Sequence, residues 1–204
     1  MINNNLKIKK MKKLFLTMAL AVGALFAATA QDFSDECVSG NCISGYGKQV
    51  FANGDSYEGN FTMALFNGEG EYVYQDGNIC KGQFKDGSFI NGTVFYVGGN
   101  VYTGEIRNGL RHGEGLFTWK NGETYYGEWE ENLKSGHGTY TYENGGVHIG
   151  EYKNDLPHGT GERTYSDGKL IGNWVNGKKH GEFIFRVIGH KDKNKKFEHD
   201  KEAK

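Results

Sequence analysis

Much that would mark an enzyme or a membrane protein is missing from this 204-residue chain. No serine stands in a Gly-x-Ser-x-Gly elbow, which argues against a hydrolase of that type. Glycine pairs such as Gly113 and Gly115 lack the strand-to-helix setting of a phosphate or dinucleotide loop. The main apolar run, residues 14–27, falls short of the roughly 20 residues that span a bilayer. No cysteine follows that run directly, so a bacterial lipoprotein anchor is not indicated. Cysteines number three, an odd count. Basic clusters are scarce beyond residue 30, the exception being Lys191, Lys193, Lys195 and Lys196 near the end.

The N-terminus has the make-up of a secretory signal. Lys7, Lys9, Lys10, Lys12 and Lys13 precede the apolar run, and Ala28, Thr29 and Ala30 offer a small-residue cleavage site before Gln31. Met11, followed by two lysines, is an alternative start. The pattern is bacterial in style and implies a periplasmic or extracellular protein. Without residues 1–30 the chain carries 19 basic and 25 acidic residues, a net charge of −6. The end from Arg186 onward is net +3, leaving −9 for the part before it. Such an acidic body is a poor match for nucleic acid or anionic lipid, which need clustered Lys and Arg. Export permits a disulfide between Cys37 and Cys42, which would cap the first hairpin. Cys80 reads as a small buried hydrophobe.

What the chain does have is a phrase that returns six times. An aromatic or apolar residue, any residue, then glycine ends at Gly59, Gly82, Gly104, Gly127, Gly150 and Gly172, at spacings of 22 or 23. A constant period of this size marks stacked repeats. Asn53-Gly54, Asp76-Gly77, Gly98-Gly99, Asn121-Gly122, Asn144-Gly145 and Asp167-Gly168 close the units, read here as type I′ hairpin turns. A second turn falls at Asp86-Gly87, Asn108-Gly109 and Asn176-Gly177. Between the turns the pattern alternates with period two: Tyr57, Gly59 and Phe61 point one way, Glu58 and Asn60 the other. One face thus carries columns of rings beside columns of glycine. A ring can lie flat over a neighbouring strand only where that strand has no side chain. The expected fold is all-β: an elongated, single-layer antiparallel sheet of stacked β-hairpins.

The phrase Tyr125-x-Gly127-x-Trp129, then Asn132, His137-Gly138 and Asn144-Gly145 resembles the MORN repeat (membrane occupation and recognition nexus). The resemblance covers residues 45–185. Cys80, His148 and Leu170 stand in the tyrosine slot of their units, and Ile90 replaces a glycine in a unit one residue short. That second unit is expected to be the irregular one. The resemblance implies phospholipid binding as seen in eukaryotic relatives, an implication the acidic charge opposes. Some relatives carry a kinase or methyltransferase domain, but here the array fills the chain. The expected organisation is a signal peptide at 1–30, a leader at 31–44, about six repeats at 45–187 and a charged, disordered tail at 188–204.

Candidate chemistry is thin. His112, His158 and His180 occupy equivalent slots, but successive slots lie about 10 Å apart. No single ion with ligands at about 2.1 Å can gather such a column. Glu105, Glu128 and Glu151 form another column, with Glu114 and Glu182 in the following strands, read as a solvated polar face. No catalytic residue, metal or cofactor is assigned. The candidate binding face is the ring column: Tyr72, Tyr74, Tyr96, Trp119, Trp129, Tyr140, Tyr142, Tyr152, Tyr165 and Trp174. The function expected is a non-enzymatic exported scaffold that binds an envelope protein or itself. The alternative is a module that uses the same rings for cell-wall glycan or a membrane surface.

Overall fold

A computed structural model describes residues 35–202. The signal segment and its cleavage site between Ala30 and Gln31 lie outside the described residues. Every element described is a strand: β1 (Glu36–Gly40), β2 (Gly45–Val50), β3 (Ser56–Thr62), β4 (Leu65–Val73), β5 (Ile79–Lys85), β6 (Ser88–Phe95), β7 (Val101–Arg107), β8 (Leu110–Thr118), β9 (Thr124–Glu130), β10 (Leu133–Thr141), β11 (Val147–Lys153), β12 (Leu156–Tyr165), β13 (Gly168–Val175), β14 (Lys178–Val187), β15 (Lys193–Glu198) and β16 (Lys201–Glu202). They form one antiparallel sheet in chain order, each strand paired to the next. The tail expected to be disordered instead adds β15 to β14 and turns through His199 and Asp200 into β16. In β15 Phe197 follows Lys193, Lys195 and Lys196 and packs on Phe183 at 5.3 Å. A hydrophobic anchor in a charged segment is what the charge pattern concealed.

The two kinds of turn differ. At Met63-Ala64, Asn108-Gly109, Glu131-Asn132 and Asn154-Asp155 both central residues have positive φ, as a type I′ turn requires. The Asn-Gly closures depart from that expectation. Only their glycine is positive: φ is 90° at Gly54 and 89° at Gly122. Gly54 N–H donates to the Phe51 carbonyl and Phe51 N–H to the Asp55 carbonyl, both at 2.9 Å. This is a type I turn followed by a glycine in the left-handed region, the three-residue hairpin loop. The same pair of bonds closes the loops at Gly77, Gly99, Gly122 and Gly145.

Bulges fall in a regular place. The hairpins within the units carry a register shift: β3–β4, β5–β6, β7–β8, β9–β10, β11–β12 and β13–β14. Pairs from β2–β3 to β12–β13 that join successive units carry none. A bulge bends its strand and tightens the local twist. Bending once per repeat curls the sheet around its ring-bearing face, so one layer can bury rings without a second. Tyr57, Tyr102 and Tyr125 are fully buried there, lying over Gly70, Gly115 and Gly138. Their hydroxyls donate to carbonyls three residues on, at Asn60, Glu105 and Glu128, over 2.9–3.2 Å. Ten buried side chains from Tyr57 to Tyr152 make one core cluster; Leu170, Trp174 and Phe183 make another.

The first hairpin is stapled. Cys37 and Cys42 are disulfide-bonded across the turn between β1 and β2. In the chain-entropy description a loop this short is worth about 2 kcal/mol. All five residues of β1 are exposed, so the staple acts on the end of the sheet. Reduction is expected to speed amide exchange in β1 and β2 while leaving β7–β11 protected. Equal loss of protection through β11 would contradict a purely local cap.

Candidate functional site

The ring column splits into two layers. Trp129, Tyr152 and Trp174 are 4%, 4% and 3% exposed, so these three members of the candidate face are core. Each follows the glycine of its phrase by two residues and is tucked beneath neighbouring rings: Trp129 meets Tyr125 at 5.1 Å and Tyr102 at 5.7 Å. Its indole N–H donates to the Gly115 carbonyl at 3.1 Å. Alternation along a strand reports the face a side chain takes, but not how far the curl encloses it.

The other seven rings stay reachable. Tyr74 and Tyr165 are exposed, and Tyr72, Tyr96, Trp119, Tyr140 and Tyr142 are half-buried. Tyr74, Tyr96, Trp119, Tyr142 and Tyr165 share one slot, the residue or strand end before each repeat-closing turn. They form a strip with one ring per repeat along the rim of the curled face. Paired rings lock it from within: Tyr72 with Tyr74 at 4.7 Å, Phe117 with Trp119 at 4.6 Å, Tyr140 with Tyr142 at 4.6 Å.

Polar groups fasten the strip. Asp55 is buried and accepts from the Tyr72 hydroxyl at 2.7 Å and from Gln75 N–H at 2.8 Å. One to three repeats along, Asn78, Asn100 and Glu123 reach the next turn in the same way, at Val97, Lys120 and Glu143 N–H. The Tyr140 hydroxyl donates to Glu123 at 2.8 Å. Burial first, and then these carboxylates, push the Tyr72 and Tyr140 hydroxyls above the ordinary phenol range. Cations lie on the rings. Lys134 Nζ sits 4.8 Å from the Tyr140 centroid, and Arg163 Cζ sits 4.4 Å from that of Tyr142. Burial lowers the Lys134 pKa. Lys134, Arg111 and Arg163 lie over the rings because their stems pack where an aliphatic side chain would, and they share that face with Asp55 and Glu123.

The glutamate column has a structural task besides solvation. At the bulges Gly113, Gly136 and Gly159 have positive φ, and the carboxylates of Glu105, Glu128 and Glu151 lie against them. Each accepts the following N–H: Glu114 at 3.5 Å, His137 at 2.8 Å, Thr160 at 3.3 Å. These amides are released from the ladder by the bulge, and the glutamate satisfies them. Among the described residues no three of His, Cys, Asp and Glu converge where a metal could sit.

The MORN-repeat family model matches residues 43–56, 57–79, 102–124, 125–147, 148–169 and 171–182, more than half of the sequence. The chain belongs to the MORN-repeat family. Residues 80–101 fall between the matched repeats. There Cys80 leaves Gly82 and Gly92 without a tyrosine above them, and both glycines take φ near 140°. No curated protein matches the chain. Among solved structures, the MORN array is similar to the SAS-4 (dCPAP) TCP domain of Drosophila melanogaster in complex with a proline-rich motif of Ana2 (dSTIL). The TM-score is 0.52 at 13% identity, over 85% of this chain and 97% of that one. A virginiamycin B lyase from Staphylococcus aureus aligns at a TM-score of 0.22 and 10% identity, over 81% of this chain and 74% of that one. The first likeness is one of fold; the second carries no argument.

Proposed function

We propose that this MORN array is an exported, non-enzymatic scaffold of the cell envelope that holds an extended segment of a partner protein along its ring strip. The observation that carries the reading is one accessible ring per repeat, packed against a neighbouring ring at Tyr74, Trp119 and Tyr142. Two strands advance the array by about 9.6 Å. Three residues of polyproline II advance by about 9.3 Å. A ring could therefore meet every third residue of an extended peptide, and aromatic-lined grooves take such segments because little ordering entropy is lost. The TCP domain of similar fold holds a proline-rich motif, which supports an occupant of this type. Export rests on the lysine-rich, apolar N-terminus. The absence of an enzymatic role rests on the want of any recognised catalytic motif. Sugar polymer is the competing occupant of the same rings.

Trp119→Ala with Tyr142→Ala leaves the buried Tyr125, Trp129 and Tyr152 in place. Capture of the envelope partner should fall at least tenfold, with the far-ultraviolet spectrum unchanged. Undiminished capture would remove the strip from the function, and loss of retention on wall polysaccharide alone would transfer it to glycan.

A further inference from the structure

The face opposite the rings is not wholly polar. Leu116 pairs Tyr126, Tyr126 pairs Thr139, and Thr139 pairs Ile149 across β8 to β11. The row continues from Ile149 through Glu162 and Ile171 to Ile184 on β14. Tyr126 and Ile149 are 55% and 51% exposed, and Leu116 and Ile184 are exposed as well. Two residues along the strands runs a second row containing Glu114, Glu128, Glu151 and Glu182. Residues i and i+2 share a face, so the acidic and apolar rows lie side by side. Glu114 stands directly opposite Glu128. Like charges in that position repel. Among the described residues, none of Glu105, Glu114, Glu128, Glu151 and Glu182 is within salt-bridge distance of a lysine or arginine; only His137 approaches Glu128, at 3.8 Å. The clamping bonds of Glu105, Glu128 and Glu151 all use Oε1, leaving Oε2 free. Open depressions of about 480 and 410 Å³ lie over these rows, the first edged by Glu114, Leu116 and Tyr126, the second by Glu105, Glu114 and Glu128.

We propose that this face docks a cationic amphipathic α-helix of a second protein, laid across the strands from β8 to β14. The charge complementarity is specific. From Glu105 to Glu151 the acid row has no lysine or arginine partner and calls for one, and the adjacent apolar row calls for a hydrophobic stripe beside it; at the β14 end Glu182 already faces Lys196. A second copy of this chain would set acid row against acid row, and an anionic lipid surface would be repelled. An added strand is excluded by the ladder, since β8 to β13 are paired on both sides and offer only side chains. A helix satisfies its own backbone and needs nothing but side-chain contacts. Its seven-residue rise of about 10.5 Å follows the two-strand advance of about 9.6 Å. A basic residue once per heptad therefore meets Glu105, Glu128 and Glu151, which recur every second strand on β7, β9 and β11, while Asn173 takes that slot on β13. This surface is separate from the ring strip and does not depend on it.

The test is fluorescence anisotropy with the purified protein and a labelled four-heptad helical peptide, bearing leucine at two positions and lysine at one flanking position of each heptad. Micromolar or tighter binding that weakens with salt is expected. Two controls carry the same composition: one spaced to break the seven-residue period, the other with glutamate for lysine. Both should bind at least tenfold more weakly. Glu114→Lys and Ile149→Asp, both at exposed positions outside the core, should each cost at least tenfold. Tyr142→Ala on the ring strip should leave peptide affinity unchanged, so failure here and failure of the ring-strip reading are separable. No binding, equal binding of the re-spaced peptide, or indifference to both substitutions would overturn the proposal. So would attachment to phosphatidylserine vesicles that Glu114→Lys strengthens.

Discussion

Gly138→Ala is expected to destabilise the array by about 1–3 kcal/mol, and Tyr125→Ala by about 3–5 kcal/mol. The reason is a single contact. Tyr125 is fully buried and lies over Gly138; a Cβ added to that glycine would stand 2.5 Å from the ring carbon bearing the hydroxyl. Something must shift, and it is the ring that also meets Trp129 at 5.1 Å and Tyr152 at 5.0 Å. Tyr125 further donates to the Glu128 carbonyl at 3.2 Å on its own strand and to the Ser135 carbonyl at 3.3 Å across the bulge. Removing the ring takes away packing and bulge bond together. The two substitutions should not add. Once the ring is gone, the alanine at 138 has room, so the double variant should be more stable than the sum implies by about 1 kcal/mol or more. Chemical denaturation of the four proteins measures this. Strict additivity would mean that ring and glycine are not paired choices.

The second large effect is a dependence on pH centred on His148. It stands in the tyrosine slot of its repeat and is 1% exposed. It lies between the two core clusters, 5.5 Å from Tyr152 on one side and 4.8 Å from Trp174 on the other. Burial, aided by the nearby Arg163, pushes its pKa from 6.5 down to about 4. Its folded value thus lies below its unfolded one, so the unfolded chain takes up the proton first as pH falls. The contribution is fully present above about pH 6.5 and is lost as pH falls through the window to about 4. Within that window stability should fall by up to about 1.4 kcal/mol per pH unit from this group. His148→Tyr restores the ring of the other repeats and should flatten the dependence. Denaturation at several pH values between 4 and 7 checks it; an unchanged slope in His148→Tyr would place the titration elsewhere.

How far such features were legible can be traced residue by residue. The repeat period, the strand count per unit and the pairing of rings with glycines followed from spacing and alternation, because both are local properties of a pleated strand. The turn geometry did not. Asn53-Gly54 and Asn108-Gly109 read alike, yet one closes a three-residue loop and the other a two-residue turn, since loop length is fixed by the register of the flanking strands. The bulges were hidden for the same reason, and with them the curl. That curl decides why Trp129 is core while Trp119 remains on the rim. The charge on each face was also obscured. Arg111, Lys134 and Arg163 read as ordinary surface cations but lie over rings, and the row from Leu116 to Ile184 is visible only once pairing is known. Ile90 and Cys80, by contrast, announced the irregular unit correctly, because a missing glycine and a missing ring are losses at single positions.

The central proposal is that the ring strip holds a protein. A photo-crosslinking residue at Tyr142, compared with one at the exposed turn residue Met63, tests it in the organism's own cells. One dominant protein adduct from position 142, absent from position 63, is the expected result. Polysaccharide adducts without protein at 142, or the same adducts from both positions, would contradict it.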